Sequence, residues 1–285
     1  MRKIIKSIVL RLGLYPVWLF IRYWIKEFPY EFIRNKKIQK GKLSRYEWLD
    51  SMHDKYLGER CFIICNGPSL TKEDYVKLKD EYTFGMNYIC NWFYETGIET
   101  TFYVVQDYWA RARYMKDDFD RLSNTVIFLS DHMFKKYGFE YEGKYNLMPA
   151  SLKNLHYPQK MRRFQPNLKK GVSIGRSVAY PCAELAYYLG FRQIYLIGAD
   201  CQIDVGGAHP EADGLYGRHE DVEFLKWNCY GQEETKSRGL ILDQEIISKF
   251  CKRSDLKVFN ATKGGALEVF PRVSLDEIID VSKNH

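Results

Sequence analysis

The tightest constraint on this chain is a repeated pattern: a short apolar run, a polar residue at its carboxyl end, then a stretch long enough for a helix. Cys61-Phe-Ile-Ile-Cys65 runs straight into Asn66-Gly67-Pro68-Ser69, and comparable runs follow at Tyr82–Met86 and at residues 101–105, 125–129, 193–198 and 257–259. Uninterrupted apolar runs of this length are how strands buried on both faces are written, and their alternation with helical stretches predicts a parallel sheet with crossover helices. The expected fold class is α/β, a Rossmann-like, mainly parallel sheet flanked by helices. Helices are expected at residues 71–79, 107–122, 177–189, 241–251 and 274–281, and the polar, glycine-rich stretch 202–236 reads as a long loop.

With 285 residues, 46% of them hydrophobic, one large α/β core is the default. The net charge of +7 is concentrated at the amino terminus, where Arg2, Lys3, Lys6, Arg11, Arg22, Lys26, Arg34, Lys36, Lys37, Lys40, Lys42 and Arg45 meet few acids. Residues 1–58 are therefore read as a basic amphipathic arm and residues 59–285 as the nucleotide-binding domain. Arg11, Pro16 and Arg22 interrupt the apolar stretch 4–25, which argues against a membrane span or signal peptide. Apolar residues interleaved with cations fit a segment lying in the headgroup region of a membrane, or a helix packed on protein; they rank an anionic membrane above nucleic acid as a partner. Seven cysteines without a CxxC pair indicate neither a disulfide framework nor a zinc site, and point to a reducing cytoplasm, at the inner face of the membrane if the arm attaches. The aromatic share, 16%, suits sugars, bases or interfaces.

In an open α/β sheet, ligands sit outside the carboxyl ends of the strands. Asn66, Gly67, Pro68 and Ser69 form a turn there whose backbone N–H groups and hydroxyl, at a helix start, suit a phosphate; the plain alternative is that Ser69 is a helix cap. The turn is neither a P-loop nor GxGxxG, so it signals neither ATP nor NAD. Gly171-Val-Ser173-Ile-Gly175-Arg176-Ser177 is a second such turn, with Arg176 able to pair with phosphate oxygens and Ser173 or Ser177 serving as ligand or N-cap. The other strand ends bring Asn87, Gln106, Asp107, Gly198 and Asp200 to the same rim. Asp200 is read as a metal, ribose or acceptor ligand, or as a loop brace. His209 and His219 are the histidines of the polar stretch, and imidazole is the usual base for a hydroxyl at neutral pH. Asn260 and Thr262 open a glycine-rich loop after the last strand that either closes over a base or phosphate or is a simple turn.

The segments 65–70, 84–87, 171–177, 189–200 and 259–270 resemble domain family of unknown function 115, named after archaeal 6-hydroxymethylpterin diphosphokinase, which includes enzymes of surface glycan assembly and flagellin glycosylation. The Asn66-Gly-Pro-Ser-Leu70 turn, Asn87 and the run from Leu189 to Asp200 are also similar to the bacterial sialyltransferases of glycosyltransferase family 42. This resemblance implies a GT-A-like variant of the fold. It also implies a CMP-sugar bound by Asn66, Gly67, Ser69 and Ser177, with Asn87 and Gln106 on donor sugar or phosphate and Asp200 beside it. Gln202 stands where that family has a tyrosine, and the spacing does not place the catalytic histidine.

The expected activity is therefore an inverting, metal-independent glycosyltransferase that needs no cofactor. It would take a nucleotide-sugar donor, with a CMP-linked sialic acid-like sugar favoured, and a surface-glycan or lipid-linked acceptor; a homo-oligomer is compatible with the sequence. The alternatives are a Mg-dependent diphosphokinase that transfers diphosphate from ATP to a pterin-like alcohol, with Asp107 and Asp200 as metal ligands, and a non-catalytic nucleotide-binding scaffold.

Overall fold

A computed structural model describes residues 15–106, 122–132, 145–201 and 233–283. The helix expected at 107–122, all but the end of the loop expected at 202–236, and with them Asp107, His209 and His219, lie outside the described residues. Among the described residues the sheet has seven strands: β1 (Arg60–Ile64), β2 (Tyr82–Met86), β3 (Phe102–Val105), β4 (Val126–Ser130), β5 (Asn146–Met148), β8 (Gln193–Ile197) and β9 (Lys257–Asn260). Their spatial order is β5-β4-β3-β2-β1-β8-β9, and every pairing is parallel. A two-residue pair, β6 (Ala150–Ser151) with β7 (Val172–Ser173), forms a second small sheet.

The helices, in chain order, are α1 (Tyr15–Arg22), α2 (Phe28–Gln39), α3 (Trp48–Ser51), α4 (Lys72–Val76), α5 (Cys90–Thr96), α6 (Lys153–His156), α7 (Ala179–Leu189), α8 (Glu233–Cys251) and α9 (Leu275–Lys283). A π-helical turn, Tyr23–Glu27, joins α1 to α2. Helix α8 is described from Glu233 onward, so it already runs inside the stretch expected to be loop and ahead of the predicted start at residue 241.

Much of the aromatic content serves the core rather than ligands. Phe62, Tyr195 and Phe259 are register partners across β1, β8 and β9, and they stack at centroid distances of 5.1 and 5.2 Å. Phe84 and Phe102 do the same across β2 and β3 at 4.5 Å. Such same-face pairs each add about 0.5–1.5 kcal/mol beyond area burial.

The segment assigned to the arm also enters the main body. Ile38, Tyr46, Trp48, Leu49 and Met52 belong to the principal core, so that core runs across the 58/59 boundary. Helix α2 is fastened by two buried polar groups. Arg34 donates to Asp131, which follows β4, at 2.8 and 3.0 Å and to the Ala150 carbonyl at 2.8 Å. Glu31 accepts from Tyr23, Ser151 and the Leu152 N–H at 2.8–2.9 Å. Burial pushes the Glu31 carboxyl above the usual range, against the pull of these donors.

Candidate functional site

The chain runs outward from β1 through β5 and then returns to place β8 on the other side of β1, so strand order reverses between β1 and β8. That reversal parts the loops leaving the two carboxyl ends and opens a crevice. A cavity of about 250 Å³ lies there, walled by Asn66, Gly67, Asn87, Gln106, Arg176, Ser177, Gly198 and Asp200, together with Leu240 and Gln244 of α8. The sequence-predicted residues thus converge from four strand ends and the approach to α7.

The first turn is built differently from the expectation. Leu70 N–H donates to the Gly67 carbonyl at 3.1 Å, closing a β-turn with Pro68 at its second position, where its fixed φ fits. The helix begins where the sequence placed it, and its N-cap is Thr71 rather than Ser69, the Thr71 hydroxyl accepting from Asp74 N–H at 3.1 Å. The Thr71-Lys-Glu-Asp74 pattern is a capping signature and was the signal available in the sequence. Ser69 instead donates its hydroxyl to the Asp200 carboxylate at 2.9 Å, with its N–H at 3.4 Å from the same oxygen. Gly67 N–H donates to the Gly198 carbonyl at 2.9 Å. Gly67 is obligatory here, because a Cβ would overlap both the Asp200 carboxylate and the Gly198 carbonyl.

The second turn is likewise occupied from within. Gln106 brackets Gly175, donating to its carbonyl at 3.0 Å and accepting from its N–H at 3.3 Å. Asp243 of α8 accepts from the N–H groups of Arg176 (2.5 Å) and Ser177 (3.2 Å). Ser173 N–H donates to Glu184 at 2.7 Å, and the other Glu184 oxygen accepts from Gln165 N–H at 2.8 Å. Burial pushes Glu184 up to about 8 despite these two donors, and it raises Asp243 for the same reason. The Ser177 hydroxyl accepts from Ala179 N–H at 3.2 Å at the start of α7. The backbone N–H groups that the sequence offered to phosphate are thus met from within: Ser69 by Asp200, Gly67 by the Gly198 carbonyl, Gly175 by Gln106, and Arg176 and Ser177 by Asp243. Among the described residues that line the crevice, Arg176 is the cation.

Asn260 and Thr262 stand behind the wall. Asn260 Nδ2 donates to the Leu267 carbonyl at 2.7 Å and its Oδ1 accepts from Thr262 N–H at 3.0 Å, while the Thr262 hydroxyl accepts from Ala199 N–H at 3.0 Å. Ala266 N–H donates to the Asp200 carbonyl at 2.7 Å, so this loop fixes the backbone that carries Asp200. Asn87 has φ 51° and Cys201 φ 51°, left-handed conformations that side chains other than Asn rarely take, one at each side of the crevice. Burial pushes the Cys201 thiol up to about 12 and raises Cys65 as well, so neither crevice cysteine is a thiolate at neutral pH. Among the described residues, no three His, Cys, Asp or Glu side chains cluster as a metal site requires.

Gln244 was not legible in the sequence. Only 2% exposed on the inner side of α8, it lines the cavity, and its Oε1 has no hydrogen-bond partner among the described residues. A buried acceptor without a donor costs about 1–3 kcal/mol, so a ligand N–H or O–H here would relieve it.

No curated protein matches the sequence. The solved structure of the MAf glycosyltransferase from Magnetospirillum magneticum AMB-1 is similar with a TM-score of 0.48 and 15% sequence identity. That similarity covers 88% of this chain, which spans 41% of the other. The model of the MptE-like family, described as 6-hydroxymethylpterin diphosphokinase MptE-like, matches residues 36–206. With more than half of its length matched, including β1 to β8 and most of the residues around the crevice, the chain belongs to the MptE-like family.

Proposed function

We propose that the chain is a glycosyltransferase that binds a nucleotide-sugar donor in the β1/β8 crevice, CMP-linked sialic acid-like sugars being favoured, and transfers the sugar with inversion. The observation that carries this reading is the wall itself. At the point where α/β sheets bind ligands, it sets side-chain amides (Asn66, Asn87, Gln244) beside one guanidinium (Arg176), one hydroxyl (Ser177) and one carboxylate (Asp200). That set suits a base, a phosphate and sugar hydroxyls together.

In the proposed reaction the acceptor oxygen attacks the anomeric carbon and the bond from that carbon to the phosphate oxygen breaks. The electron pair leaves with the nucleotide, and His209 or His219 takes the acceptor's proton. Because these turn N–H groups are engaged within the protein, the charge on the departing phosphate falls to Arg176, with Ser177 adjacent. Asp200, steadied by Ser69, accepts from a sugar hydroxyl, and Gln244 accepts from a donor N–H or O–H. The acceptor is a surface glycan or a lipid-linked sugar.

A second reading, Mg-dependent transfer of diphosphate from ATP to a pterin-like alcohol, is favoured by the family description together with Asp200. One or two carboxylates plus substrate phosphates suffice to hold Mg²⁺, and Asp200 on the wall meets that minimum. The two readings separate in thermal shifts with CMP, UDP, GDP and ATP, each with and without magnesium, followed by turnover of the sugar nucleotides. A nucleotide present at about a hundred times its Kd stabilises the fold by about 2.7 kcal/mol. The first reading expects a cytidine or uridine nucleotide to bind without metal, Gln244→Leu to weaken that binding about tenfold, and turnover to survive EDTA. ATP binding and turnover that EDTA abolishes would replace it with the second, and binding without any turnover would leave a scaffold.

A further inference from the structure

The helical stretch 15–39 has two opposed faces. The inward face carries Tyr23, Glu31, Arg34 and Ile38, all buried. The outward face carries Val17 (54% exposed), Ile21 (50%), Trp24 (41%), Ile25 (70%), Phe32 (49%) and Ile33 (56%). Elsewhere among the described residues, the large apolar side chains with comparable exposure are Leu57, Val76, Tyr94 and Met161, scattered singly as on any protein surface. The π-helical turn Tyr23–Glu27 absorbs one residue, so Ile33 returns to the face of Val17 and Ile21 instead of lying roughly 100° further round.

The charge around this face is predominantly positive. Lys26, Lys36, Lys37 and Lys40 are exposed, the Lys36 ammonium lies 5.6 Å from the Phe32 ring centroid, and the Arg22 guanidinium lies 5.5 Å from that of Trp18. Of the two acids in the stretch, Glu31 is turned inward onto Ser151 and Leu152, leaving Glu27. Apolar bodies with cationic tips around them are what a bilayer headgroup region accommodates. Two copies of this face would meet cation to cation, and a nucleic acid offers nothing to the apolar stripe. No described helix is long and apolar enough to cross a membrane, so attachment here lies in the plane of the surface.

We infer that this face of α1 and α2 docks the protein on an anionic lipid bilayer and sets its orientation there. Arg34 holds α2 to Asp131 and Ala150, at the carboxyl ends of β4 and β5, on the rim that also bears the crevice. Three strand spacings separate β4 from β1, about 15 Å, so the docked helices are anchored on the same rim as the crevice. The inference stands apart from the glycosyltransferase reading, since vesicle binding needs no nucleotide.

The test is flotation of the full chain with vesicles of phosphatidylcholine alone or mixed with phosphatidylglycerol, at low and high salt. The chain is expected to float with the anionic vesicles only, to lose about fivefold in partitioning for each of Lys26→Ala and Lys36→Ala, and to stay behind when Ile21→Ser and Ile25→Ser are combined. Should that double variant fail to fold, quenching of tryptophan emission by brominated lipid in the unaltered chain decides, with Trp24→Phe expected to remove most of it. Absence of anionic-vesicle binding, a folded double variant that still floats, or a dimer that the same substitutions dissolve would each overturn the proposal.

Discussion

Gly67 and Asp200 set each other's positions. The absent Cβ of Gly67 leaves the space that the Asp200 carboxylate fills, and the Ser69 hydroxyl completes its hold at 2.9 Å. Gly67→Ala drives a methyl group into that carboxylate and the Gly198 carbonyl, so a stability loss of about 1–3 kcal/mol is expected, read from urea midpoints. Displacing Asp200 also alters the crevice wall, and ligand-induced thermal shifts are expected to shrink more than the stability loss explains; unchanged stability would show that the turn yields. Asn66, Gly67 and Asp200 were legible because they follow long apolar runs. Gln244 and Asp243 were not: each is one polar residue in a helix whose first turns carry no apolar period, and nothing local says which face turns inward.

Beyond the backbone ladder of the sheet, buried side chains tie the elements around the crevice together. β3 reaches the 173–177 segment through Gln106, α8 through Asp243 and α7 through Glu184. Helix α2 reaches β4 through Arg34 and Asp131, 4% and 5% exposed. Asp131→Ala would strand a buried guanidinium, the Tyr46 hydroxyl (2.6 Å) and the Ala150 N–H (2.8 Å), and is expected to cost about 3–5 kcal/mol in urea unfolding. The exposed Lys77–Asp276 pair provides the contrast, since solvent screens it and Lys77→Ala should leave the urea midpoint nearly unchanged. Six of the seven main strands were readable from sequence because both faces of such strands are buried and their apolar runs are continuous. β5, β6 and β7 are three, two and two residues long, too short to carry a period, and the part of α8 described before residue 241 opens on Glu233-Glu-Thr-Lys, which reads as loop.

For the whole molecule, buried carboxyls make stability depend on pH. Glu184 titrates near 8 in the folded chain and in the ordinary carboxylate range when unfolded, so between those values the folded state holds a proton that the unfolded state has released. Its contribution is therefore present in full at low pH and declines by about 1.4 kcal/mol per unit as pH rises toward 8. The raised Glu31 and Asp243 act in the same direction. Urea midpoints from pH 5 to 8 are expected to fall, and Glu184→Gln, which has no proton to lose, to flatten the decline; an unchanged slope would place the titration elsewhere. Because three separate elements hold the 173–177 wall, its conformational freedom is lost when the chain folds, before any ligand arrives. A molecule entering from that side meets a surface already shaped, and the rate of its capture there is set by diffusion and fit rather than by waiting for the wall to assemble.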